Sequence, residues 1–493
     1  MARCIMVQGT MSGAGKSLLA TALCRIFRQD GLRVAPFKSQ NMALNSYITR
    51  DGLEMGRAQV AQAEAAGREP DVRMNPVLLK PSSDTGSQLI VNGEVRGQYR
   101  AAEYFKMKKS LVPEILRAYE SLAAENDVIV IEGAGSPAEI NLRDGDIVNM
   151  GLAELVNAPV LLVGDIDRGG VFAQLYGTVA LLQPEERARV VGTVINKFRG
   201  DVELLRPGLA MLEEKTGVPV LGVVPYTCAD NDDEDSLAPC LAQTQQRRPL
   251  DIAVVRLPRI SNFTDFSPLE SHPALGVRYV ERAGQLGEPD LVVLPGTKNT
   301  MGDLAWMRQN GLEAAVKKLA AAGTPVLGVC GGYQMLGTAL DDPDGVEQGG
   351  RMDGMGLLPC APRFTGQKVR TRVQACAAAG PFAGAQLDGY EIHMGRTERG
   401  GTPPFGLLAD GTPEGAAAGN VFGTYLHGLF DTGELTEKLA AWLLACKGLS
   451  AADVRAESHA AYKERQYDLL ADAVRAAVDI AAVYRAMDAC AAK

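Results

Sequence analysis

Short runs of consecutive apolar residues alternate along this chain with stretches whose apolar positions recur every third or fourth residue. The runs at 4–8, 34–37, 128–131, 159–164, 190–195 and 220–224 have the length of buried strands. Between them lie helical patterns, in Leu18, Leu19, Ala22, Leu23 and Phe27, in 55–66, in 104–124, and in Leu204, Leu205, Leu209 and Leu212. This alternation predicts an α/β fold with a parallel sheet covered on both faces. A second series begins at 252–256 and continues at 277–280, 291–294 and 326–329, which makes two domains. Residues 228–249 hold an acidic run and a polar run with no apolar stripe, as expected of a connection, the alternative being that the acidic cluster lies against the active site. The division is therefore 1–227, a linker at 228–249, a second domain at 250–447 and a helical extension at 448–493. Amphipathic helices at 434–446 and 459–487 are expected to close the second domain, and the polar segment 69–86 is expected to be a functional loop.

The first strand runs into Gly9-Thr10-Met11-Ser12-Gly13-Ala14-Gly15-Lys16-Ser17 and then into a helix. That is the setting of a phosphate-binding loop. Gly13 and Gly15 let backbone N–H groups converge on phosphate oxygens, Lys16 neutralises the β and γ phosphates, and the Ser17 hydroxyl suits Mg²⁺. ATP and Mg²⁺ are the expected cofactors. In open α/β sheets ligands sit beyond the carboxyl ends of the strands, where three further groups appear. Lys38, Asn41 and Asn45 follow the second strand, as substrate-side candidates or as parts of an ordinary polar loop. Glu132 ends the strand at 128–131, placed either to hold Mg²⁺ or to cap the glycine turn after it. Asp165 and Asp167 lie in Asp165-Ile166-Asp167-Arg168-Gly169-Gly170, and serve either as metal or substrate groups or as partners of Arg168.

In the second domain, Leu327-Gly328-Val329-Cys330-Gly331-Gly332-Tyr333-Gln334 reads as a strand entering a sharp glycine turn and a helix. Such a turn projects a thiol outward as a nucleophile, beside backbone N–H groups that can hold an oxyanion. A thiolate needs a base. The chain has four histidines, and His427 ends the short apolar strand Val421-Phe422-Gly423-Thr424-Tyr425-Leu426.

This pair resembles the class I glutamine amidotransferases, which release ammonia from glutamine through a thioester. The resemblance implies an oxyanion hole at Gly296, in Val293-Leu294-Pro295-Gly296-Thr297, and at the N–H of Gly331. The family's usual Glu two residues after the histidine is Leu429 here, which leaves the third member of the triad open, a Cys330–His427 dyad being one alternative. The Gly-Thr loop of the first domain resembles dethiobiotin-synthetase-like amidoligases, in which Asn196 would read the adenine edge and Glu132 would be the metal carboxylate. With Lys38-Ser39-Gln40-Asn41-Met42, Asp165-Ile166-Asp167-Arg168-Gly169-Gly170, the cysteine elbow and Gly389-Tyr390-Glu391-Ile392-His393-Met394-Gly395, the whole chain is similar to the cobyric acid synthase family. The resemblance implies a P-loop amidoligase domain fused to a class I amidotransferase domain with terminal helices. It also implies ATP- and glutamine-dependent amidation of a corrinoid polycarboxylate at its b, d, e and g carboxylates. The alternatives are a cobyrinic acid a,c-diamide synthase, or a nucleotide-switched regulatory protein with a degenerate glutaminase domain. His393 is expected to face either a ligand or a domain interface.

Composition narrows the picture. A net charge of −9 over 493 residues, without a Lys/Arg run, argues against a nucleic-acid partner. Nine scattered cysteines with no Cys-x-x-Cys pair fit a reducing cytoplasm and neither a disulfide framework nor a zinc site. No apolar run approaches membrane-spanning length, so no membrane partner is expected.

Overall fold

A computed structural model describes residues 2–81, 86–227, 229, 248–450 and 457–491. The chain forms two compact units, Met1–Ala43 with Glu54–Asn231 and Lys463–Lys493, and Leu44–Leu53 with Asp232–Tyr462. Most of the expected linker at 228–249 lies outside the described residues.

The first unit is built on six parallel strands in the order Val220–Pro225, Val190–Phe198, Val160–Asp165, Arg3–Gly9, Val128–Glu132, Val34–Phe37. Helices cover both faces, so Val128–Glu132 and Val160–Asp165 are buried at every position, which explains their unbroken apolar runs. Arg3–Gly9 pairs with both of these strands, and all three end at one sheet edge. Their parallel register thus brings the P-loop, Glu132 and Asp165 to one place.

Two expectations for this unit are corrected. The supposed functional loop at 69–86 contains the strand Val77–Pro81, which joins Gln40–Met42, Gly86–Val91 and Glu94–Arg100 in a second, small sheet. Val77, Leu78 and Leu79 are buried there, and the flanking prolines and polar residues had masked a strand of ordinary length. The terminal helices, expected to close the glutaminase domain, belong to the first unit from Lys463 onward. Tyr467, Leu470, Val474, Val483 and Met487 share one apolar cluster with Leu19, Leu23 and Phe27 of the helix Lys16–Gln29. Arg25 fixes the packing, with Nε 2.8 Å from Asp468 and Nη1 2.8 Å from Glu464. An apolar stripe states that a helix needs a partner but not which one.

The second unit has its own six-stranded sheet, ordered Leu275–Val280, Leu250–Val255, Leu291–Leu294, Val326–Val329, Val421–Thr424, Ala416–Ala418. The first five are parallel and the last is antiparallel. A second, antiparallel sheet carries the long pair Ala361–Ala377 and Gln386–Glu398, with Leu426–His427 alongside. The segment Leu44–Leu53 belongs here, inside what the sequence assigned to the first domain. It is held by Asn262 Nδ2 and Tyr390 Oη, which donate to Ser46 O at 2.9 and 3.0 Å.

Candidate active site

Cys330 follows the strand Val326–Val329 with φ 53° and ψ −107°, a conformation that a side chain tolerates only under constraint from its surroundings. The constraint comes from Cys330 N–H bonding to Thr424 O at 2.8 Å, and from Gln334 N–H bonding to Cys330 O at 3.0 Å. The thiol is turned toward Ile392 O, 3.6 Å away. Glycine is required around it. A Cβ on Gly331 would lie 2.7 Å from Thr297 Cγ2, and one on Gly296 would lie 3.1 Å from His427 Cε1. The elbow and the 296–297 turn therefore meet at backbone distance, with Gly296 against the imidazole.

His427 is 1 % exposed, and the Cys330 sulfur is among the groups that shift its ring. Its other face carries the group the sequence did not reveal. Nδ1 lies 2.6 Å from Asp265 Oδ2, and because a carboxylate can only accept, Nδ1 is the donor. Asp265 Oδ1 accepts the Gly428 N–H at 2.9 Å. Burial pushes the imidazole down, but Asp265 and the Cys330 sulfur outweigh it and raise it to about 10. The open third place is thus taken by Asp265 in a Cys330–His427–Asp265 line, the acid coming from the turn Phe263–Phe266 rather than from position 429. Asp265 stands 162 residues before His427, so no local spacing marks it. Its only sequence cue is a lone acid between two phenylalanines.

Around this line, Thr300 Oγ1 donates to Gln334 Oε1 at 3.0 Å and Gln334 Nε2 reaches Tyr425 Oη at 3.3 Å. His393 stacks on Tyr425 with centroids 3.8 Å apart, inside the unit. Behind the oxyanion turn, Thr297 Oγ1 bonds to the buried Asp303 carboxylate, which also accepts Arg259 N–H at 3.2 Å. Burial pushes Asp303 up to about 6 against those bonds.

In the first unit, Lys16 Nζ donates to Met11 O at 3.1 Å and Gly135 O at 3.0 Å, folded back over its own loop. Ser17 Oγ donates to Glu132 Oε1 at 2.9 Å, Lys38 Nζ lies 3.0 Å from the same oxygen, and Gln62 Nε2 donates to Oε2. Burial would raise Glu132, but Lys38, Gln62 and Lys16 hold its carboxyl below the usual range, so it is ionised. A hydroxyl and a carboxylate side by side at a phosphate loop are the oxygen donors a divalent cation accepts. Among the described residues no group of three or more His, Cys, Asp or Glu could hold a metal.

Several sequence candidates stand elsewhere. Asn196 braces the loop: Nδ2 donates to Ala14 O at 3.1 Å, close enough to leave no room for a side chain at Gly15. Gly13 is held by its neighbour, Lys197, whose Nζ donates to Gly13 O at 2.7 Å and to Asp165 Oδ2 at 2.8 Å. Asp165 and Asp167 are thus internal ion-pair partners, Asp167 being 3.1 Å from Arg199 Nε. Asn41 is buried with Nδ2 on Gln59 Oε1 at 3.0 Å. Asn45 lies in the other unit, its Oδ1 accepting the Phe263 N–H at 3.2 Å and so steadying the turn that carries Asp265. Of the five substrate-side candidates, Lys38 alone reaches Glu132.

Comparison with known proteins agrees with both halves. Residues 5–238 match a family model described as a CobQ/CobB/MinD/ParA nucleotide binding domain, and residues 251–435 match a CobB/CobQ-like glutamine amidotransferase domain. Proteins named cobyric acid synthase are similar along their full length. The one from Ruminiclostridium cellulolyticum is 57 % identical over 99 % of this chain and 98 % of its own. Those from Lachnoclostridium phytofermentans and Klebsiella pneumoniae are 54 % and 53 % identical, each over 99 % of this chain and 99 % and 98 % of their own. With a nucleophile elbow in one unit and a phosphate loop in the other, each where its family model matches, this chain belongs to the cobyric acid synthase family.

Proposed function

We propose that the chain is a glutamine-hydrolysing amidoligase that converts the b, d, e and g carboxylates of adenosylcobyrinic acid a,c-diamide to amides. The reading rests above all on one chain carrying both the Cys330–His427–Asp265 line and the Lys16–Ser17–Glu132 cluster. A carboxylate resists amine attack until its oxygen is made a leaving group. Transfer of the ATP γ-phosphoryl to the substrate carboxylate forms an acyl phosphate and ADP. Ammonia then adds to the carbonyl carbon and expels phosphate, leaving the amide.

Each residue has a stated part. The Cys330 thiolate attacks the side-chain amide of glutamine, Gly296 and Gly331 N–H groups hold the oxyanion, and the His427 imidazolium protonates the departing ammonia. Neutral His427 then takes a proton from water, which hydrolyses the thioester to glutamate. Asp265 keeps the ring oriented throughout. On the other unit, backbone N–H groups at Gly13 and Gly15 and the Lys16 ammonium hold phosphates. Mg²⁺, held by Ser17 and Glu132, would neutralise phosphate charge. Lys38 then leaves Glu132 for the incoming carboxylate.

Mass spectrometry of the products from purified protein, ATP, glutamine and the a,c-diamide tests this. Stepwise amidation is expected, and Cys330→Ala should lose it with glutamine but keep it with ammonium salts. Turnover of only the fully acidic precursor would identify an a,c-diamide synthase instead.

A further inference from the structure

Beside the P-loop, the first unit contains a half-open cavity of about 260 Å³. Gly135, whose carbonyl holds Lys16, forms part of its wall, so the cavity adjoins the phosphoryl-transfer site. The rest of the wall is unusually apolar for a surface. Met42, Phe105 and Leu142 line it while 57, 45 and 40 % exposed. Single exposed apolar residues need no explanation, but three converging on one cavity next to a reaction centre mark a binding surface.

Many of the polar groups in the wall are engaged with the protein itself, and Lys108, which also lines it, lies with Nζ 4.5 Å from the centroid of the Phe105 ring. Asn149 exchanges two hydrogen bonds with the Ala134 backbone. Asp146 accepts the N–H groups of Val148, Asn149 and Gly151. Arg143 pairs with Glu186 at 3.3 Å, and Gln40 Oε1 accepts from Tyr104 Oη. Recognition here therefore comes from contact area more than from directed hydrogen bonds.

We propose that this cavity takes an edge of the apolar ring face of the macrocyclic polycarboxylate, and that its predominantly apolar wall, with few directed contacts, lets the ring be presented in several orientations. This rests on the functional reading above. Four carboxylates on one ring must each reach the same phosphoryl site, and a wall that fixed one side chain by hydrogen bonds would serve one of them. An apolar wall holds what the four orientations share, the ring, and leaves the arm at the P-loop interchangeable.

The test is Phe105→Ala combined with Met42→Ser, both at exposed positions, in the full-length enzyme with mass-resolved kinetics. The KM for the a,c-diamide should rise by about ten- to a hundredfold. The KM for ATP, glutamine hydrolysis and the melting temperature should stay unchanged, and all four amidations should slow together with the pattern of intermediates preserved. A variant whose KM stays within about twofold of wild type, or that slows one amidation alone, overturns the inference. If the wild-type enzyme amidates no corrinoid acid, the functional reading fails first and the inference with it.

Discussion

Asp265→Asn isolates the contribution of the acid that orients His427. The change keeps the shape of the side chain but removes the charge that, with the Cys330 sulfur, raises the imidazole to about 10 against its burial. It also sets an NH₂ against either Nδ1 of His427 or the N–H of Gly428, since the carboxylate accepts from both, at 2.6 and 2.9 Å. One buried donor then lacks an acceptor, a cost of about 1–3 kcal/mol, which lowers the melting temperature by about 2–12 °C. Without the carboxylate, desolvation dominates and the imidazole is no longer held protonated. Glutamine hydrolysis should fall by about 10²–10⁴-fold, or about 3–5 kcal/mol of barrier. Ammonium-supported amidation should be unchanged. The pH dependence carries a sign. A histidine raised in the folded state adds stability that is fully present below about 6.5 and is lost as pH rises toward 10. Wild type should therefore lose more stability than Asp265→Asn between those limits. Glutamate release, measured beside ammonium-dependent product in the same preparation, decides the matter: a folded Asp265→Asn enzyme hydrolysing glutamine within about threefold of wild type would refute the role of Asp265.

Other substitutions separate the remaining parts. Lys16→Ala should abolish ADP formation and amidation from either nitrogen source, while glutamate release persists. Glu414 is buried and raised to about 8, so the folded protein holds its proton to higher pH than the unfolded chain; its cost to stability is absent below 4.5, grows as pH rises from 4.5 toward 8, and is complete above 8. Glu414→Gln should flatten that decline in denaturation midpoints measured across pH. Leu470→Ala, in the cluster under the terminal helices, should cost about 2–5 kcal/mol and weaken ATP binding in calorimetry while glutamine hydrolysis survives.

What could be read from the chain divides by range. Lys16, Ser17, Cys330 and Gly331 each sit in a turn fixed by its immediate neighbours, so the residues flanking them carry the signal. Glu132 and His427 end apolar strands, and the strand pattern places them. Asp265 has no such neighbourhood: its meeting with His427 is made by the second unit's tertiary packing. The polar residues at the first sheet's edge show a role the sequence does not distinguish from ligand binding. Asn41, Asp165 and Asn196 lie where ligands gather, but a loop crowded with backbone carbonyls and charges needs internal braces of the same chemical types. Periodicity identified the terminal helices but not their partner, which from Lys463 onward is the first unit and not the second. The hairpin Ala361–Ala377 and Gln386–Glu398 escaped because charged residues interrupt its alternation, one face being partly exposed.

The first unit is stitched from both termini, its central strand coming from residues 3–9 and part of its cover from the helices after Lys463. Translation proceeds from the amino end, so the ribosome has made the entire ammonia-producing half before it makes the last pieces of the half that uses ATP. The part encoded first is therefore finished last. A chain cut short near its end keeps the thiol machinery whole and leaves Leu19, Leu23 and Phe27 bare to water.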